Sequence, residues 1–97
     1  MPKTASAKKR ARQARERTLR NRAVKSRMRT MIKKFRQALA GADLQKAERA
    51  LREAVSAIDK AAQKGTIHRN QAARRKARLA RALSALRGTV ADTEAPQ

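Results

Sequence analysis

Apolar residues in this chain recur with a helical period in three stretches and are almost absent from a fourth. From Val24 onward the spacing gives Val24, Met28, Met31, Phe35 and Ala38, flanked by Ile32 and Leu39. That is an a/d-type stripe, so this stretch is expected to pack on other helices. A second stripe runs through Leu44, Ala47, Leu51, Ala54, Val55, Ile58 and Ala62, and a third through Ala72, Leu79, Leu83 and Leu86. Gly41, Gly65 and Gly88 each follow one of these segments, where a helix-ending glycine is expected. Ala is abundant and β-branched residues are sparse, which favours helix over strand. The pattern predicts helices from Ser6 (as N-cap) to Ala40, from Asp43 (as N-cap) to Lys64, and from Ile67 to Arg87. The fold class is therefore all-α, a three-helix bundle with a long, projecting N-terminal basic helix. Short loops favour antiparallel neighbours.

Residues before Val24 break the pattern. Leu19 is the only large apolar residue between Lys3 and Ala23, and it points away from the line of the later stripe. The chain then divides into a projecting basic arm (1–22), a bundle (23–88) and a flexible tail (89–97). The bundle core is small and rich in Ala. A chain of 97 residues buries about two-thirds of its unfolded surface, so modest stability is expected.

Charge sharpens this division. The chain has 27 Lys plus Arg against 7 Asp plus Glu, for a formal charge of +20. Residues 1–36 hold 15 of the basic residues and a single acid, Glu16; residues 43–64 hold 5 basic and 4 acidic residues; residues 65–88 hold 7 basic residues and no acid. A surface that only needed solvation would mix the signs. Segregation points instead to a polyanion. On the arm, Lys8, Lys9, Arg10, Arg12, Arg15, Arg17, Arg20 and Arg22 point in nearly every direction at 100° per residue. A protein partner would need an apolar stripe there. The arm suits anionic groups arriving from several sides, as between RNA elements, and residues 1–22 are expected to be mostly disordered without RNA. In the third helix Arg74, Arg78 and Arg81 lie opposite the apolar stripe, with Arg75 and Lys76 on its flanks. Cations at both helix starts, Lys8 to Arg10 and His68 with Arg69, are locally unfavourable unless phosphates sit there.

Several classes of function are excluded. There is no Cys, hence no disulfide framework and no Cys-based zinc site, and with one His a metal site is not expected. His68 reads as a polar contact to RNA. Ser6, Ser26, Ser56 and Ser84 lack any His–acid arrangement, and no phosphate-binding loop, dinucleotide fingerprint or paired carboxylates occur, so no catalysis, cofactor or small-molecule substrate is expected. Phe35 is the sole aromatic residue, which rules out base-stacking on aromatic platforms. Met28, Met31 and Phe35 read as core. No apolar run approaches the roughly 20 residues of a membrane span. The basic start lacks the apolar segment of a secretory signal. It has the composition of a transit peptide, but it runs into the first apolar stripe and reads as mature protein. A basic-region zipper would need a stripe longer than the one that stops at Gly41. A membrane-active helix would need an apolar face that residues 1–23 lack.

Three segments carry a resemblance: Lys3-Thr4-Ala5-Ser6-Ala7-Lys8-Lys9-Arg10, Met28-Arg29-Thr30-Met31-Ile32-Lys33-Lys34-Phe35, and Lys64-Gly65-Thr66-Ile67-His68-Arg69-Asn70-Gln71-Ala72-Ala73-Arg74-Arg75-Lys76. In this order they resemble the S-twenty family of bacterial small-subunit ribosomal proteins, the third segment most specifically. The resemblance implies a three-helix bundle that binds small-subunit ribosomal RNA directly, in the cytoplasmic ribosome. It implies RNA contact at Ser6, Lys8, Lys9 and Arg10, at Arg29, Lys33 and Lys34, and at His68, Arg69, Asn70, Arg74, Arg75 and Lys76. The charge pattern adds Arg12, Arg15, Arg17, Arg22 and Arg78. Thr66 departs from the pattern, in which that position is often apolar. Few or no protein contacts within the ribosome and a monomer when free are expected.

Overall fold

The computed structural model describes the backbone of residues 4–94 and the side chains of residues 4–90. It contains α1 (Ala5–Ala40), α2 (Leu44–Gln63) and α3 (Arg69–Glu94), with no strand among the described residues. The molecule measures 77 × 22 × 16 Å, with a radius of gyration of 19.2 Å. A compact chain of this length would have a radius near 13 Å. The difference comes from α1, whose 36 residues span roughly 54 Å at 1.5 Å each.

α2 lies between the other two helices; α1 and α3 touch each other little. Two ion pairs follow the antiparallel register of α2 and α3: Lys76 Nζ to Asp59 Oδ1 at 2.8 Å and Arg87 Nη2 to Glu48 Oε1 at 2.9 Å. The step from Lys76 to Arg87 equals the step from Asp59 back to Glu48, so both pairs belong to one alignment. The core centres on Phe35, Met28 and Ile58. It continues through Ile32, Ile67, Ala72, Leu79 and Leu83. Because α2 is covered from two sides, its buried line is Ala47, Ala54, Ala57, Ile58 and Ala61, while the larger Leu44 and Leu51 are only partly buried. In α1, Ile32 is buried and Met31 is partly buried, the reverse of the expected ranking.

The helix ends differ from the sequence reading at both ends of α1 and at both ends of α3. The cap of α1 is Thr4, not Ser6: its backbone is extended and its hydroxyl accepts from the Ala7 N–H at 3.1 Å. Asp43 does cap α2, accepting from the Lys46 N–H at 3.1 Å. At the end of α1 the left-handed residue is Ala42 (φ 54°), not Gly41. The Asp43 N–H donates to Ala38 O and the Ala42 N–H to Leu39 O, which closes a Schellman turn around an alanine. At the end of α2 the same turn forms with Gly65 in the left-handed position (φ 73°), as expected there.

α3 starts at Arg69 rather than Ile67. Ile67 is buried and its N–H donates to Ala61 O, so it belongs to the turn that closes α2. The His68 ring caps α3, with Nδ1 accepting from the Asn70 N–H at 3.1 Å. α3 also continues through Gly88 to Glu94, across residues expected to be a flexible tail. No proline follows until Pro96, and a helical glycine costs only about 1 kcal/mol against alanine. The Thr89 hydroxyl donates to Ala85 O at 3.0 Å, within the helix. Residues 95–97 of that expected tail and residues 1–3 of the arm lie outside the described residues.

Candidate nucleic-acid interface

α1 is one helix with two environments. Its apolar stripe reaches back to Val24 and no further. One turn earlier, Asn21 accepts a hydrogen bond through Oδ1 from the Thr66 hydroxyl at 3.2 Å. This polar contact ties α1 to the α2–α3 turn and gives the part-buried Thr66 hydroxyl an acceptor. From Thr4 to Arg20 every side chain is exposed except those of Ala7 and Ala11, which are half-exposed. Ser6, Lys8, Lys9, Arg10, Arg12, Arg15 and Arg17 therefore project from a rod with no protein behind it, and Arg22 is exposed at its root. Among the described residues the arm makes no ion pair; Ser6 Oγ lies 3.3 Å from Thr4 Oγ1.

On the bundle half of α1, Arg29, Lys33 and Lys34 are exposed beside the packed stripe. At the start of α3, His68, Arg69 and Asn70 are exposed, and the Nδ1 cap leaves the far edge of the His68 ring facing outward. Arg74 and Arg78 are exposed on the side of α3 away from the core, as is Arg81. Arg75 and Lys76 are not free in the same way. Lys76 is half-buried and paired with Asp59, so α2 supplies it with a counter-charge. Arg75 is half-buried, and its Nε is buried with no hydrogen-bond partner among the described residues. Its position beside the core makes it partly a packing residue.

The structure thus groups the sequence-derived residues into three cationic surfaces: the arm, the exposed flank of α1, and the start and outer side of α3. It also brings together residues that the sequence reading did not join. Where the arm leaves the bundle there is a cleft of about 630 Å³. Arg17, Arg20 and Lys64 line it together with Asn21 and Val24. Arg20 and Lys64 were not among the expected contacts. Part of the signal was present: Arg17 and Asn21 continue the line of Val24, Met28 and Phe35 by one helical repeat. Lys64 needed the fold of the α2–α3 turn to reach them.

Among the described residues no group of three or more His, Asp or Glu side chains could hold a metal ion, and no helix is long and apolar enough to cross a membrane. Exposed, unpaired cations spread along a rod and over two helix faces are suited to binding phosphates at several points of a folded nucleic acid. The fold and this surface define a small helical polyanion-binding protein.

Comparison with known proteins narrows the class. The family described as Ribosomal protein S20 matches residues 2–84, and the chain belongs to that family. It is 56% identical over 84 residues to the small ribosomal subunit protein bS20 of Symbiobacterium thermophilum, covering 87% of this chain and 86% of that one. It is 53% identical to bS20 of Heliobacterium modesticaldum, covering 81% of this chain and 90% of the relative, and 51% identical to bS20 of Bordetella avium, covering 89% and 99%.

Proposed function

We propose that this protein is a structural constituent of the small ribosomal subunit in the cytoplasm. It binds small-subunit ribosomal RNA directly and stabilises the folded RNA. The observation that carries this reading is the separation of charge from packing. The arm holds exposed cations with neither apolar partner nor acid partner, whereas the nearly neutral α2 forms the middle of the bundle. An isolated rod of that kind repels itself along its length, and phosphates would relieve the repulsion. Phosphate contacts fix position without reading sequence, so specificity comes from the shape of the folded RNA.

In this reading the contacts are Ser6, Lys8, Lys9, Arg10, Arg12, Arg15, Arg17 and Arg22 on the arm; Arg29, Lys33 and Lys34 on α1; and His68, Arg69, Asn70, Arg74, Arg75 and Lys76 with Arg78 on α3. Of these, the half-buried Arg75 and Lys76 present less of their side chains at the surface than Arg74 and Arg78. The functional boundary falls near residue 22, where the Asn21–Thr66 contact marks the edge of the bundle. The free protein is a monomer, and few of its contacts in the ribosome are to other proteins.

The test is binding of labelled small-subunit ribosomal RNA at about 0.2 M salt against excess transfer RNA and duplex DNA, conditions under which sequence-independent electrostatic binding weakens steeply. A saturable 1:1 complex that survives both competitors is expected. Removal of the complex by either competitor would make the protein a general polycation.

A further inference from the structure

The cleft at the root of the arm has a composition that its position does not explain. Residues on one line of α1 change character as the helix leaves the bundle. Phe35, Met28 and Val24 meet α2 and the core; continuing the same line at helical spacing gives Asn21, Arg17 and Arg10. If another protein helix covered this line, those positions would be apolar or would face acids. Instead Asn21 is polar and Arg17 and Arg10 are cationic, and Lys64 at the end of α2 joins Arg17 and Arg20 as a third charge lining the cleft. No acidic residue lines the cleft. The Asn21 amide uses its oxygen to hold the Thr66 hydroxyl, which leaves its NH₂ donors unengaged among the described residues. Gly65 forms the rim at positive φ, so the turn bends around the opening without a side chain closing it.

We infer that this cleft seats one stretch of RNA backbone, with Arg17, Arg20 and Lys64 converging on its phosphates and the Asn21 amide donating to the strand. The inference rests on the ribosomal RNA reading above and adds to it a specific seat that includes Arg20 and Lys64. A volume of about 630 Å³ is several times the bulk of one phosphate group, which suits a strand rather than a free ion. An RNA strand is also favoured over an acidic protein segment because the cleft opens directly onto the arm, whose surface offers a protein nothing apolar to pack on. The seat joins two parts of the molecule: a strand held by Arg17 and Arg20 from α1 and by Lys64 from α2 sets the direction of the arm relative to the bundle.

The experiment is a double-substitution cycle in the full chain, with Arg20→Gln, Lys64→Gln and both together, measured against small-subunit ribosomal RNA over a range of salt. Both side chains are exposed, and helical circular dichroism and Tm of the free protein are expected to stay at wild-type values. Each single substitution should weaken binding about 3–10-fold and lower the salt slope by about one. The double variant should lose less than the product of the single losses, because removing one cation already frees the shared strand. Arg52→Gln, on the nearly neutral α2, should change nothing. The chain has no Cys, so Gln63→Cys carrying an iron chelate places a hydroxyl-radical source beside the cleft. Cleavage confined to one continuous RNA stretch is expected. Unchanged binding in both single variants, strictly multiplicative losses, or an absence of localised cleavage overturns the seat while leaving the ribosomal reading intact. Loss of all preference for ribosomal over transfer RNA in the wild-type protein overturns both.

Discussion

The two halves of α1 share a helix and little else. Residues 24–40 present an apolar stripe to α2, and Met28, Ile32 and Phe35 are buried by it. Residues 5–20 present cations on all sides and bury no side chain. Both halves are rich in Ala, Lys and Arg, so intrinsic helix propensity does not separate them. Packing separates them. The first half has only its connection to the second as a nucleus. Against it work like charges at i,i+4 spacing, each costing a few tenths of a kcal/mol, and cations at the positive end of the helix dipole. A helix can thus be continuous in shape and uneven in packing, with one half held by the protein and the other exposed on all sides.

That contrast can be broken at either end. The largest effect belongs to the bundle. Phe35 is fully buried at the centre, and Phe35→Ala should cost about 3–5 kcal/mol. In so small a domain this removes most of the thermal unfolding transition, which circular dichroism reads directly. The opposite experiment replaces Arg10, Arg12 and Arg17 by Gln. Binding to ribosomal RNA at about 0.2 M salt should fall roughly 10–100-fold, with the bundle's Tm unchanged; a lowered Tm would mean that the arm packs on the bundle after all.

The junction is a finer probe. Asn21→Ala removes the acceptor for the Thr66 hydroxyl and should cost about 0.5–1.5 kcal/mol in chemical denaturation. An effect near zero would leave Val24 as the true edge of the packed region. The smallest change acts at the far end of α1. Ala42 holds a left-handed conformation that glycine adopts freely, and Ala42→Gly should stabilise the bundle by about 0.5–1 kcal/mol in the same measurement.

Much of this architecture was legible in the sequence, because periodicity alone separates the stripe after Val24 from the patternless stretch before it. Asp43 and Gly65 also stood where caps are needed. The errors have physical sources. Glycine is permitted in a left-handed turn but is not forced into one, so Gly41 stayed helical while Ala42 took the turn, and Gly88 let α3 run on. The stripe expected on α2 held the buried Ala47, Ala54 and Ile58, but also Leu44, Leu51, Val55 and Ala62, which are only partly buried. A helix covered on two faces is instead lined by the alanines that let its neighbours approach, and Ala57 and Ala61 were missed for that reason. Charge counting treated Lys76 as free, although Asp59 faces it from the next helix. Lys64 joins Arg17 and Arg20 only through the tertiary fold, which no local pattern expresses.

The central claim is that the protein stabilises the bundle half of α1 and RNA stabilises the arm. Amide hydrogen exchange on the full chain, alone and bound to small-subunit ribosomal RNA, tests it residue by residue. Alone, amides near Met28, Ile32 and Phe35 should be protected and those of residues 8–20 should exchange at close to unfolded rates; on RNA, residues 8–20 should gain strong protection. Strong protection of the arm in the free protein, or none gained on binding, would contradict the account.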